Sequence, residues 1–421
     1  MAAARALQEQ GCDFKLLELA PKVGGFTRSI DVDAYTFDYT GHLLHLSRWA
    51  TPEDLPFAGL SNSEWQRVDR KSVAFLDGRF VTAPVQYNLS DLPPDVFDGM
   101  VASYESRPAL PENASFRDFV VAGFGAKLAE EFLIPQNEKT MGIALDRLSQ
   151  NAASRFFPHP DDQRVRSGMR PGHAVAATYN SQFWYPKTGG IQRLVNGLAA
   201  GLAPANILCL QEVVNVDLVR RTLRTRGGEE LKWKKLVSSM PLRRLCECTN
   251  DRLLHELGRQ LTHSSTVSFN FGLPRGLGGK LSDYQWIYVP QRDIPFYRVG
   301  VYSHLSKGLC PPGADALYVE VGTTPDELAS IDIQSALMPR VIHSLERLGW
   351  LKSSDIGCIV HHTMHCAYVH FTPEREEVLP QIIERLQDAG VYPIGRYGQW
   401  DYTSMEDSIV SGLETASSLA S

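Results

Sequence analysis

The first residues with the types and spacing for chemistry lie between positions 15 and 45. An apolar run at 14–17 ends on Glu18, and Gly24-Gly25, Arg28 and Gly41-His42 follow. The run reads as a buried parallel strand. A carboxylate at the end of the second strand of a βαβ unit is placed to grip the ribose hydroxyls of a dinucleotide. Two adjacent glycines let backbone approach a ligand, because no Cβ stands in the way. A second set lies at the other end of the chain, where Gly395-Arg396-Tyr397-Gly398 precedes Met405-Glu406-Asp407-Ser408, the predicted start of the final helix. A helix N-terminus with unpaired N–H groups suits a phosphate or the electron-rich end of a flavin ring. One ligand held by both ends of the chain is the expectation.

Other constellations carry less. His361-His362-x-x-His365 falls on a predicted strand, where His361 and His365 face one side and His362 the other. At most two could share a metal, no acidic partner is near, and no metal site is expected. Cys246-x-Cys248 has no partner pair at zinc spacing, and the seven cysteines are scattered, mostly in apolar contexts. Free thiols in a reducing compartment, by default the cytoplasm, fit that pattern. Seven basic residues between Arg220 and Lys235 read as the solvated face of a hairpin.

The elements that must position these groups follow from pattern and punctuation. With 421 residues the chain can hold two or more domains, and a net charge of −6 gives no reason to expect nucleic acid or an anionic membrane. No apolar run approaches the roughly 20 residues of a membrane span, and no signal peptide is visible. Strand-like runs at 72–76 and 79–82 flank Asp77-Gly78, a strong hairpin signal. Helices are expected at 94–104, 115–124 (capped by Ser115), 126–134, 191–202, 325–348 and 373–389, with 135–139 interrupting the helical region. Further strands are expected at 206–210, 213–218, 221–225, 235–239, 266–271, 286–289, 316–321 and 359–368. Residues 151–180 read as loops packed against a site.

Four blocks in order carry a family resemblance: 24–42, 179–190, 288–298 and 390–416. Glu18 with Gly24, Gly25 and Arg28 resembles the ribose carboxylate and second FAD contact of the flavoproteins with two dinucleotide-binding domains. YVPQRDIPFYR and GVYPIGRYGQWDYTSMEDSIVSGLETA resemble segments of the UDP-galactopyranose mutases, eukaryotic-type and bacterial, within the amine oxidase and protoporphyrinogen oxidase superfamily. The G-x-G-x-x-G strand and loop of that superfamily have no counterpart before Met1. A truncated N-terminus is therefore expected.

The resemblance implies an α/β chain with a discontinuous, Rossmann-like FAD domain and a mixed α+β substrate domain of helices and an antiparallel sheet. The first would span 1–65, 185–261 and 371–421, and the second 66–184 and 262–370. It implies interconversion of UDP-galactopyranose and UDP-galactofuranose through an adduct of the sugar with N5 of reduced FAD. The nucleotide-sugar is a UDP-hexose, and NAD(P)H is a candidate reductant.

Carried over by position, His42 would lie beside the flavin ring. Arg155 and Arg298 would clamp the diphosphate, with Tyr288, Tyr368 and Tyr402 donating to the same oxygens. Asn180 would bond the sugar, while Gln86 and Asn137 approach the nucleotide end. Glu18, Gly24, Gly25, Arg28, Gly41, Val213, Gly395, Arg396, Met405 and Ser408 would hold FAD. Ala83, Val85 and Met141 stand near where the mutases place aromatic residues. Two alternatives stand beside this. One is an FAD-dependent oxidoreductase of the amine oxidase or protoporphyrinogen oxidase kind, and the other a non-catalytic nucleotide-sugar-binding remnant.

Overall fold

The structure is a computed structural model that describes residues 1–56, 59–152, 157–172 and 181–420. Its largest sheet has seven strands. In spatial order they are Cys358–Val369, His263–Leu273, Asp315–Thr323, Arg298–Val301, Trp286–Tyr288, Ser72–Leu76 and Arg79–Thr82. Neighbours run antiparallel except Trp286–Tyr288 beside Ser72–Leu76. The expected Asp77-Gly78 hairpin is present, and both residues hold positive φ (47° and 78°), as a two-residue turn between twisted strands requires.

Side chains of a strand alternate between faces, and here the alternation separates core from site. Ile287, Val299, Val301, Leu317, Val319 and Val321 join one apolar cluster with Val341 and Leu345 of the helix Met338–Arg347. The residues between them, Trp286, Tyr288, Arg298 and Glu320, point to the opposite face and line a cavity. Phe116 of the helix Phe116–Phe124, Phe132 and Leu133 of the turn Ala129–Leu133, and the helix Ile134–Met141 close that cavity from another side, backed by a core that includes Met100 of Pro94–Glu105.

The two ends of the chain pack together. The helix Ala2–Glu9 stops at Gly11, whose φ is 71°. It lies against the final helix Met405–Ala420, with Gly412 so close to Ala2 and Ala3 that a Cβ there would sit 3.0–3.1 Å from their atoms. The parallel strands of this half form two separate pairs, Leu16–Glu18 with Ile207–Cys209 and Leu236–Ser238 with Val391–Pro393.

One buried carboxylate joins this half to the large sheet. Asp38 accepts hydrogen bonds from Ser29 Oγ (2.6 Å), the Tyr185 hydroxyl (2.6 Å) and the Ile191 N–H (3.0 Å). Its backbone carbonyl accepts from the Tyr302 hydroxyl (2.8 Å) and Asn270 Nδ2 (3.2 Å).

Two helix expectations need correcting. The stretch 325–348 is not one helix. Pro325–Ser330 ends, Asp332 caps a new start by accepting from the Gln334 and Ser335 N–H groups at 2.9 and 2.8 Å, and Met338–Arg347 follows. Nor do residues 135–139 interrupt their region. Pro135 lies inside one continuous helical run, just after the π-helical turn Ala129–Leu133, and Ile134–Met141 continues the helix past it. The seven cysteines are free thiols, and among the described residues no helix is long and apolar enough to cross a membrane.

Burial sets the acid response of the fold. His42, His45, His362 and His370 each have the pKa lowered to about 4, with desolvation the largest cause. An unfolded chain takes these protons near pH 6.5, so it binds more protons than the fold between about pH 6.5 and 4, and stability falls as pH falls through that window. Asp38 works in the opposite sense, because burial raises its pKa to about 6 against its three hydrogen bonds. Four groups oppose one, so the thermal midpoint should drop steadily from about pH 6.5 to about pH 4.5. A midpoint that stays flat or rises over that range contradicts the assignment.

Candidate active site

The cavity has a volume of about 1380 Å³, more than the roughly 300–1,000 Å³ usual for a single small-molecule site. By volume it has room for two such ligands. Its wall takes Glu18, Gly24 and Gly25 from the start of the chain, then Gly41 and His42. Gln86, Asn137, Tyr288, Arg298 and Tyr368 come from the middle, and Gly395, Arg396, Tyr402, Met405 and Ser408 from the end. Two expected contacts are not on that wall. Arg28 is spent locally, with Nε donating to the Gly25 carbonyl at 2.7 Å and its guanidinium 4.8 Å from the Tyr39 ring centre. Val213 sits in a three-stranded antiparallel sheet and packs into the core around Leu223 and Leu245. Arg155 and Asn180 lie outside the described residues.

At one end the backbone is shaped for close approach. Gly24 and Gly25 hold φ of 126° and 55°, and a Cβ on Gly24 would lie 3.0 Å from Arg28 Cγ and 3.1 Å from Val195. Glu18 ends its strand with Oε1 accepting from the Ala20 N–H at 2.9 Å. Gly41 lies under Tyr318, with no room for a side chain. His42 follows, with Nδ1 buried and lacking any hydrogen-bond partner. Its pKa, lowered to about 4 by burial and then by Arg396 and Arg298, keeps the ring neutral near pH 7.

Arg396 caps this end. Its guanidinium is 4.0 Å from the Tyr402 ring centre, 5.6 Å from Tyr368 and 5.8 Å from Tyr397, and its Nε is buried without a partner. The N-terminus of Met405–Ala420 faces the same space. Ser404 caps it by exchanging hydrogen bonds with Asp407, and Glu406, fully buried, fastens the 47–48 loop through Ser47 and Arg48.

The other wall is a row across the large sheet. Strand register sets Tyr288 directly opposite Arg298, and Arg298 directly opposite Glu320. Arg298 and the fully buried Glu320 form an ion pair. The same guanidinium lies 3.9 Å from the Trp286 ring centre. Burial works against its charge, but Glu320 and the neighbouring tyrosines outweigh that and raise its pKa. Tyr368 stacks on Tyr402 with centres 5.8 Å apart, and burial pushes its pKa up to about 12, so its hydroxyl is a donor at neutral pH.

Several wall residues escaped the sequence analysis: Arg70, Trp286, Glu320 and His45. Glu320 had a signal, a lone carboxylate inside the apolar run ALYVEV, which demands a buried partner. Trp286 had one in its two-residue spacing from Tyr288. Arg70 had none. Asp146, Glu138 and the histidines of 361–365 are not on the wall. Glu138 pairs with Arg292 at 2.7 Å, and His362 stacks on Tyr39 with centres 4.0 Å apart.

Comparison with known proteins bears on the fold. The sequence profile of flavin-containing amine oxidoreductases matches residues 1–265. A crystal structure of reduced UDP-galactopyranose mutase superposes with a TM-score of 0.90 at 22% identity, over 99% of this chain and 92% of that one. Cyclohexylamine oxidase from Brevibacterium oxydans gives 0.69 at 14% identity, over 100% and 96%. Putrescine oxidase bound to putrescine gives 0.63 at 13%, over 99% and 96%.

The Arg298–Glu320 pair makes a stability prediction. Glu320→Ala strands a buried guanidinium and should cost about 3–5 kcal/mol in denaturant unfolding, whereas the double change Arg298→Met with Glu320→Met should recover most of it. A Glu320→Ala protein within about 0.5 kcal/mol of the parent shows that the pair is not buried as described.

Proposed function

This chain belongs to the flavin-containing amine oxidoreductase family, and from that premise we propose that it is an FAD-dependent nucleotide-sugar mutase. Its substrate is a UDP-hexose, interconverted between pyranose and furanose forms. The observation that carries this is the sheet row Tyr288–Arg298–Glu320 with Trp286, facing the same cavity as the Gly24–Gly25 turn and His42. An oxidase acting on an amine or a hydrocarbon framework calls for an apolar wall opposite the flavin. Guanidinium and phenol groups suit a phosphorylated substrate instead.

The residues present fit a flavin. Gly25 faces open space on the cavity wall, where a backbone without a side chain can approach a ligand, and His42 Nδ1 and Arg396 Nε are buried polar atoms without partners among the described residues. Glu18 would hold ribose hydroxyls, and Gly24, Gly25 and Gly395 would let backbone close on the cofactor. The N-terminus of Met405–Ala420, with Ser408, would face the electron-rich end of the ring. FAD would lie in the part built from 1–65, 185–261 and 371–421, and the substrate in 66–184 and 262–370. When bound and reduced, with NAD(P)H as candidate donor, flavin would supply the nucleophile.

The chain's own work is then positional and electrostatic. Arg298, Tyr288, Tyr368 and Tyr402 hold the diphosphate so that its departure from the anomeric carbon, and its return, occur in one place. Gln86 and Asn137 contact the nucleotide end. His42, kept neutral, offers Nδ1 as a hydrogen-bonding atom without adding charge. The seven free thiols suit a reducing compartment such as the cytoplasm.

The test is conversion of UDP-galactofuranose to the pyranose by the FAD-reconstituted, dithionite-reduced chain, followed by chromatography. Turnover is expected, falling by about 100-fold or more in Arg298→Ala. Consumption of oxygen with an amine substrate and no isomerisation would overturn the mutase reading in favour of an oxidase. A chain that takes up no FAD would leave the binding remnant.

A further inference from the structure

Trp286 lies between two guanidiniums, and among the described residues only one of them has a counter-ion. Its strand runs between Arg298–Val301 on one side and Ser72–Leu76 on the other, and Arg70 stands just before the latter. The Arg70 guanidinium is 4.5 Å from the Trp286 ring centre, against 3.9 Å for Arg298. Arg298 is paired with Glu320. Arg70 has no ion pair among the described residues. Among the described residues its guanidinium makes one hydrogen bond, from Nη2 to the Tyr288 hydroxyl at 3.2 Å, and its Nε is buried without a partner. It lines the cavity, and its charge helps to hold the His45 pKa down.

These two cations cannot serve a ligand equally. A guanidinium matched by a buried carboxylate presents aligned donors but little net charge. An unmatched one in a desolvated wall gains most when an anion arrives. We propose that, of the two arginines on Trp286, Arg70 is the charge-compensating one, taking the net negative charge of the substrate's diphosphate. Arg298, neutralised by Glu320, aligns hydrogen bonds to it. The hydroxyl of Tyr288 completes the arrangement. It accepts from Arg70 and keeps its own proton to donate to a phosphate oxygen. The inference rests on the nucleoside-diphosphate reading of the cavity.

The experiment is calorimetric binding of UDP and of uridine to the FAD-reconstituted full chain, in the parent, Arg70→Gln and Arg70→Lys proteins, at low and high salt. UDP affinity is expected to fall by about tenfold or more in Arg70→Gln, with a shallower salt dependence, and to be partly restored in Arg70→Lys. Uridine, which lacks phosphate, should bind all three alike. UDP affinity within about twofold of the parent in Arg70→Gln would overturn the role of Arg70 and leave the nucleotide-sugar reading standing. Equal losses of UDP and uridine would overturn it too, by showing a merely structural residue. If Arg70→Gln does not fold, Arg70→Lys carries the same comparison, with an intermediate loss of UDP expected and no loss overturning the proposal. A parent protein that binds neither ligand removes the nucleotide-sugar reading, and this inference with it.

Discussion

A cation cannot be buried in a sheet without a partner, and the site depends on how that constraint is met. Arg298 is a strand residue flanked on its own strand by Val299 and, beyond Gly300, Val301, all buried. It survives there because register places Glu320 directly opposite on the next strand. The pair contributes little as stability relative to an apolar substitute. What it does is fix a planar set of donors on one face, stacked on Trp286 and beside the Tyr288 hydroxyl. Gly300 matters to the same end. With no side chain at that position, the Tyr318 ring lies over the strand and closes against Gly41, which puts the loop carrying His42 beside the row.

The opposite wall is assembled from distant parts of the chain, and each junction has an identifiable cause. Asp38 holds the strand leading to Gly41-His42 against both the helix Gln192–Ala199 and the large sheet. Glu406, buried at the start of the final helix, fastens the loop that follows His42. Close packing of Gly412 on Ala2 and Ala3 brings the first and last helices together. Both carboxylates are buried and both have their oxygens occupied, so they specify geometry rather than react. Among the buried polar groups left with unused hydrogen-bonding capacity, His42 Nδ1, Arg396 Nε and Arg70 Nε belong to residues that face the cavity, while others, such as Trp65 Nε1 and Thr225 Oγ1, lie elsewhere.

Local chemistry was legible in the sequence where it acts over a few residues. Asp77-Gly78, the cap at Ser115 and the helix at 373–389 are where they were expected, the last capped by Thr372 and ended at Gly390. Glu18, Gly24-Gly25 and the Gly395–Ser408 region do meet at one cavity. Relations across strands were not legible. Nothing in the residues around Arg70 announces that it ends beside Trp286, because that depends on a parallel pairing between segments more than 200 residues apart. The break at Asp332 was hidden by helical periodicity on both sides, although an Asp cap could have been read there. Arg28 and Val213 lie off the cavity wall, Arg28 with its guanidinium engaged by the Gly25 carbonyl and Tyr39 and Val213 in a separate three-stranded sheet, relations that similarity by position does not carry.

The central claim is that one cavity holds a flavin against its glycine-lined wall and a diphosphate against its arginine row. The most direct measurement is the visible absorption spectrum of the FAD-reconstituted chain titrated with UDP. A saturable shift of the flavin bands, with FAD retained, is the expected result. Displacement of FAD by UDP, or saturable UDP binding that leaves the flavin spectrum untouched, would contradict it.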